Sequence, residues 1–556
     1  MEKIKHIINE KVVLTLLIGL VVLQPVFDLD YLIADWLDQF GLPRLSTIIR
    51  FIIIPLLVLF VFIHDKHKKS TVILGGFYGV ALAIYFYFHC QNAIEVFPKL
   101  YFPSNFYFDT FQELTYVLTL TLPYALIYCF YKMDTNDYLV QMVVTASSLL
   151  TAVPIFIGDI VPFGLSTYVG KTKGNFLSWF YLIFDESHEI PKYYTSKFFF
   201  KEGNTIGILM FMILPLLYYY FHHAKKKEHK IGYGILIFIH SLSMMILGTR
   251  VATYGAVLVP AAYLVLCVFF SLLKKESWSK STLLFTAIST LIFGLILPYS
   301  PAVKNQQIDA KNDLALAENG MADQGRNELA NNRITVIKES DPAYIHMFEV
   351  YGIKARYAQS ISKEYYLDYY DYRLDPYFWV EMILNRPLEE RVGGRNIQKI
   401  FFEYKWNDGR LDIKLDPNGN EEGDNVQTIY FNGCNFTSPC LTTMNRALGL
   451  GYSTFMNGSI VLEKDFVQQY YTFGPLGAFL LLSPWIGLTL VGVFLLFKYF
   501  KVNFNLLNAC YAMAVVFAFG SGFMSGHVLD QFLTSTMMAL FVAILLKRML
   551  GKVNEG

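Results

Sequence analysis

The chain has 556 residues, of which 54% are hydrophobic, 17% aromatic and only 16% charged. Ordinary soluble domains carry about 25% charged residues, so this composition excludes an ordinary soluble protein and points to a membrane. A net charge of +1 hides an uneven distribution: residues 301–467 hold 24 Asp/Glu and 18 Lys/Arg, a mildly acidic block that excludes a nucleic-acid surface.

A bilayer core about 30 Å thick needs about 20 apolar residues per helix. Twelve stretches qualify, at about 12–29, 46–63, 71–89, 113–131, 138–157, 203–221, 231–249, 252–272, 281–298, 469–497, 505–524 and 528–546. Only helices or closed barrels satisfy the backbone in lipid, and these long, non-alternating runs select helices. The first carries no small-residue cleavage site and reads as a retained span. The expected fold is an all-α polytopic membrane protein.

Lysines set the expected orientation. The junctions at 1–11, 64–69, 132–137, 222–230, 274–280, 498–501 and 547–552 are short and basic, and they fall at every second turn of the chain. Basic loops face the cytoplasm. Both termini are then expected inside a bacterial cytoplasmic membrane, and the long polar segment outside it. That segment divides the chain into nine spans (1–298), an outer domain (299–467) and three closing spans (468–556). A transporter seldom needs a block of this size between two helices, whereas an enzyme working at the outer face does.

Within the outer segment, 304–341 reads as helical or mobile, 342–405 is strongly aromatic (Tyr365, Tyr366, Tyr377, Trp379), 407–424 reads as turns and 426–431 as a short strand. A second outer region, 158–202, is also aromatic. Such rings stack on the C–H faces of sugars, or else form the interfacial belt common to membrane proteins. Cys434 and Cys440 are placed to form a disulfide in an oxidising compartment, or remain two thiols. Cys129, Cys267 and Cys510 lie in spans as packing residues, and no His/Cys spacing suggests zinc.

Candidate site residues gather at the outer helix ends. Asp28-Leu29-Asp30 is a carboxylate pair of the kind that holds a divalent ion on phosphate, but a lone pair is a low-specificity pattern, and no metal and no other cofactor is expected. Arg50, Glu113 and Asn204 are polar groups at the membrane edge, costly there unless used. Arg250 follows Gly248-Thr249 between two spans; its guanidinium offers a bidentate fork for phosphate, or snorkels to the surface. In Arg391-Val392-Gly393-Gly394-Arg395 the glycines let backbone approach a ligand and the arginines flank them, although a salt-bridged turn beside Glu389 and Glu390 would look the same. Glu463 and Asp465 directly precede the tenth span, where a carboxylate can act as general base or simply favour the helix dipole. His527, in the turn before the last span, is a further proton carrier or a turn residue bonded to Asp530.

Taken together, these motifs resemble the O-antigen ligase / O-antigen polymerase superfamily, in particular its Gram-positive polysaccharide polymerase-like branch. The similar features are Gly248-Thr249-Arg250-Val251-Ala252 at an outer helix end, Gly394-Arg395 in the large loop, Gly449-Leu450-Gly451, and Phe473-Gly474-Pro475-Leu476-Gly477 opening the next span. The resemblance implies an undecaprenyl-diphosphate-linked glycan as donor, a glycan acceptor, inverting transfer and no metal. It implies catalytic roles for Arg250, Arg395 and Glu463 or Asp465. Position at the outer helix ends and in the large loop, apart from the resemblance, adds Arg391, Arg50, His527, Asn204 and Glu113 as expected substrate contacts. Many relatives carry a histidine where this chain has Glu463-Lys464-Asp465. The rival readings are a flippase or transporter of the same lipid-linked glycan, which would show paired repeats, and a metal-dependent polyprenyl-phosphate-sugar transferase built on Asp28 and Asp30.

Overall fold

The computed structural model describes residues 10–64, 68–97, 107–167, 170, 194–319, 386–407, 441–458 and 461–551. Among them are 12 helices long and apolar enough to cross a membrane, and no strand. The chain is an all-α polytopic membrane protein. The twelve spans lie where hydropathy put them, but several run further. The first helix, Glu10–Phe27, continues through a 3₁₀ turn, Asp28–Ile33, into Ala34–Gln39. The third reaches Val96, and the ninth passes through the turn Leu297–Tyr299 into Pro301–Asn319. Hydropathy ends where polar residues begin, whereas a helix ends only where its hydrogen bonds do. The strand expected at 426–431, Cys434, Cys440, the aromatics at 342–385 and most of 168–193 lie outside the described residues.

The helices form two compact units, one from residues 1–73, 118–306 and 483–556, the other from 74–117 and 307–482. In the first, Gly203–His223 is the central helix. It is apolar on all sides, as a helix surrounded by others must be, and it packs on Asp137–Ile160, Lys227–Leu247, Arg250–Leu272, Leu506–Met524 and Phe532–Met549. Asn136, Ser279 and Asn505 cap their helices by accepting from amides one turn ahead, as such residues do. Polar groups in this unit pair with others of the same expected side. Arg548 pairs with Asp137 and donates to Asn508 Oδ1 at 2.8 Å, and Lys547 donates to Met133 O and Thr135. Arg50 pairs with Asp28.

In the second unit the organising feature is a break in the helix Asp465–Lys498 at Gly474, whose φ of 67° and ψ of 169° are not helical. Pro475 has no N–H, so the Tyr471 carbonyl loses its donor four residues on. The Leu450 amide supplies one at 3.1 Å, and the Gly451 amide serves Thr472 O at 2.9 Å. Backbone thus lies on backbone. A Cβ on Gly449 would overlap the Gly474 nitrogen and the Thr472 carbonyl, and one on Gly474 would overlap the Ala447 carbonyl. Both glycines also hold dihedrals that are essentially glycine-only, worth about 1–3 kcal/mol of strain to any other residue. Gly449→Ala and Gly474→Ala are therefore expected to lower the melting temperature and the yield of monodisperse protein. Gly487→Ala, in the same helix with nothing within 4 Å of its Cβ position, should leave both unchanged; equal behaviour of the three would refute this account of the glycine motifs.

Candidate active site

The helix Gly394–Asn407 begins where Gly393 turns the chain with a φ of 97°. Its apolar residues recur with helical spacing: Ile397, Ile400 and Phe401 are buried, and Phe402 stacks on Phe455 with ring centroids 4.2 Å apart. This fixes the helix and turns its first-turn polar residues the other way. There Arg395 Nε donates to Glu463 Oε2 at 2.9 Å. Glu463 is held in turn, its amide donating to Gln398 Oε1 at 3.2 Å, while Lys464 Nζ donates to Asn396 Oδ1, also at 3.2 Å. The 394–399 turn and the 463–464 turn are thus stitched together.

The pair is accessible, with 29% of the Arg395 side chain and 36% of that of Glu463 exposed. Glu463 takes the Nε edge of the guanidinium, and neither Nη group makes a hydrogen bond among the described residues. Lys399 and Lys464 add positive charge beside it. Burial first, and then the nearby Lys399 and Arg395, lower the Lys464 ammonium below its ordinary value, as desolvation and neighbouring cations both do. Glu403 offsets part of this by pairing with Arg386 at 2.8 Å and Lys399 at 3.5 Å. The geometry joins an arginine with free donor groups, flanking lysines, a helix N-terminus that favours anions and a carboxylate able to accept a proton. Asp465, by contrast, is 3% exposed and heads the helix Asp465–Lys498. The Arg391 side chain lies outside the described residues.

Behind this surface is a buried polar scaffold that sequence reasoning largely missed. Glu113 is fully buried; its two oxygens accept from the Tyr452 and Ser453 amides at 2.8 and 2.7 Å, and His89 Nε2 stands 2.8 Å away. Glu113 therefore holds the Tyr452–Ser453 turn, with both of its oxygens engaged inside the protein. His89 Nδ1 donates to Leu448 O at 2.7 Å, and Asn92 donates to Asn445 O and Gly449 O. His89 and Asn92 are polar residues three apart inside a span, which is the signal that could have found them. Arg446, also missed, is half-buried and donates through Nε to Trp406 O at 3.0 Å.

Arg250, Arg50, Asn204 and His527 belong to the first unit. Arg250 is the first residue of the helix Arg250–Leu272, and the turn before it is tightly determined: Gly248 is left-handed at φ 69°, and a Cβ there would overlap Thr195. Arg50 sits in a π-helical turn, Ile49–Ile53, paired with Asp28 and near Gln24 Oε1. Asp30 accepts from the Ser46 amide at 2.7 Å. Both carboxylates of the Asp28-Leu29-Asp30 pair are thus engaged in holding the first two spans. Asn204 lies half-buried in the first turn of the Gly203–His223 helix. His527 has a φ of 62° and its Nδ1 stands 3.4 Å from Asp530 Oδ2, the turn-residue arrangement.

A family model described as O-antigen ligase like membrane protein matches residues 10–385 and 440–552. No curated protein and no solved structure matches the chain.

Proposed function

This chain belongs to the O-antigen ligase like membrane proteins, and on that premise we propose that it transfers an undecaprenyl-diphosphate-linked glycan to a glycan acceptor at the outer face of a bacterial cytoplasmic membrane. The observation that supports this reading is the Arg395–Glu463 pair at 2.9 Å, a guanidinium of the kind that binds phosphate beside a carboxylate of the kind that accepts a proton, just before a membrane span.

In the proposed reaction the acceptor hydroxyl gives its proton to Glu463. Its oxygen attacks the anomeric carbon from the face opposite the diphosphate. The bond from that carbon to the diphosphate oxygen breaks, and its electron pair leaves with the lipid diphosphate. Arg395, Lys464 and the first-turn amides stabilise the charge that develops there, the electrostatic contribution that is usually the largest in such transfers. Arg250 is proposed as a second phosphate ligand on the strength of the family resemblance. The exposed Tyr470 ring, 5.3 Å from that of Trp406, offers a face on which a sugar can stack.

Purified protein in detergent, given a lipid-diphosphate-linked glycan and free glycan acceptor, is expected to yield longer glycans and free lipid diphosphate in equal amounts. A flippase would make no new glycosidic bond. Failure of monodisperse protein to form either product would overturn the enzymatic reading.

A further inference from the structure

His222 and His223 close the central helix Gly203–His223, and Glu276 lies in the turn that follows Arg250–Leu272. Among the described residues these three form a group whose ligand atoms all lie within 4.8 Å of one another. One carboxylate oxygen, Glu276 Oε2, faces both rings, 3.4 Å from His222 Nε2 and 3.2 Å from His223 Nε2.

The hydrogen bonds around the rings set which nitrogens face the carboxylate. His223 Nδ1 lies 3.0 Å from Tyr219 O. A carbonyl only accepts, so Nδ1 carries the proton, and in a neutral ring Nε2 then bears a lone pair. That lone pair points at a carboxylate oxygen. Bonding of one ring nitrogen to backbone carbonyl is also the arrangement that orients the other nitrogen toward a metal. His222 has only 1% of its side chain exposed, and its Nε2 makes no hydrogen bond, a costly state for a buried polar atom. Two ring nitrogens and one carboxylate oxygen thus lie within 4.8 Å of one another. Zinc–nitrogen and zinc–carboxylate bonds are about 2.0–2.2 Å, so neighbouring donors around a tetrahedral ion stand roughly 3.3–3.5 Å apart. Of the two observed separations, 3.4 Å lies within that range and 3.2 Å just below it.

We propose that His222, His223 and Glu276 bind one divalent transition-metal ion of the zinc class. Two imidazoles and one carboxylate suit such ions over calcium or magnesium. The bound ion would fasten the end of the central helix to the 273–279 turn. The helix has 21 residues, so at about 1.5 Å per residue the site stands roughly 30 Å from Asn204 at the other end. Its role is structural.

The test uses tag-free full-length protein in detergent, dialysed against a chelator and titrated with Co²⁺ alone, followed by visible absorption. One equivalent per chain should saturate the signal, and Zn²⁺ should displace it. His223→Gln, at an exposed ring that a folded protein tolerates, and Glu276→Gln should each weaken binding at least about tenfold. Zn²⁺ should raise the melting temperature of the unsubstituted protein and not that of His223→Gln. A missing saturable signal, or equal affinity in all three proteins, would overturn the proposal and leave protonated histidines paired with Glu276.

Discussion

Replacing Arg395 with lysine is expected to slow glycan transfer on the order of 30- to 1,000-fold while the protein still inserts and stays monodisperse. Lysine keeps the positive charge but loses the planar fork, and only the fork can hold Glu463 on one edge and a phosphate on the other. Arg395 makes one such edge contact, Nε to Glu463 at 2.9 Å. A lysine ammonium could satisfy the carboxylate or the leaving group, but not both in fixed geometry. Loss of one preorganised donor at a developing anion is worth about 2–4 kcal/mol in the transition state, which gives the stated range at about 1.4 kcal/mol per tenfold. The side chain is 29% exposed, so folding should survive. Arg250→Lys should act in the same direction if that arginine is the second phosphate ligand. The measurement is the initial rate of purified enzyme with lipid-linked donor. Normal rates in both variants would place the diphosphate elsewhere. Arg391 would then come next, ahead of Arg50, which is already tied to Asp28 and Gln24.

The fold was legible because lipid imposes a length and a polarity on every span, and both are local properties. Span ends were less so. The Lys68–Val96 helix continues past the apolar run through His89, Asn92 and Glu95, because His89 and Asn92 find partners in the 445–449 segment, more than 350 residues away. The same limit governed the site. Glu113 was recognisable as a charge at a membrane edge, yet its task depends on the amides of Tyr452 and Ser453, which no window of sequence brings near. Gly449-Leu450-Gly451 and Gly474 were visible as spaced glycines. Their reason, the donor missing at Pro475, emerges only when the two segments are seen back to back. Arg395 and Glu463 were each identifiable by residue type and position; their contact across 68 residues was not. Arg446 gave no local signal beyond an arginine preceding the glycines.

Glu463→Gln is expected to lose most of the transfer rate, with Asp465→Asn and His527→Ala losing less. The three candidates for proton acceptor differ in surroundings. Asp465 is 3% exposed at the start of a span, so an acceptor hydroxyl cannot reach it without displacing protein. The His527 Nδ1 is turned to Asp530 at 3.4 Å, in a turn between two spans. Glu463 has 36% of its side chain exposed and stands against the arginine proposed to hold the leaving group. The amide keeps the shape of the side chain and can still contact Arg395 through its oxygen, so the substitution removes basicity more than structure. General-base catalysis contributes about 10²–10⁴-fold, and a loss of that size is expected. A carboxylate base should leave the rate nearly flat around pH 7, whereas a histidine base would make it fall below about pH 6.5. Rates and pH profiles of the three purified variants decide the matter. Near-full activity in Glu463→Gln together with a dead His527→Ala would move the base to the turn before the last span.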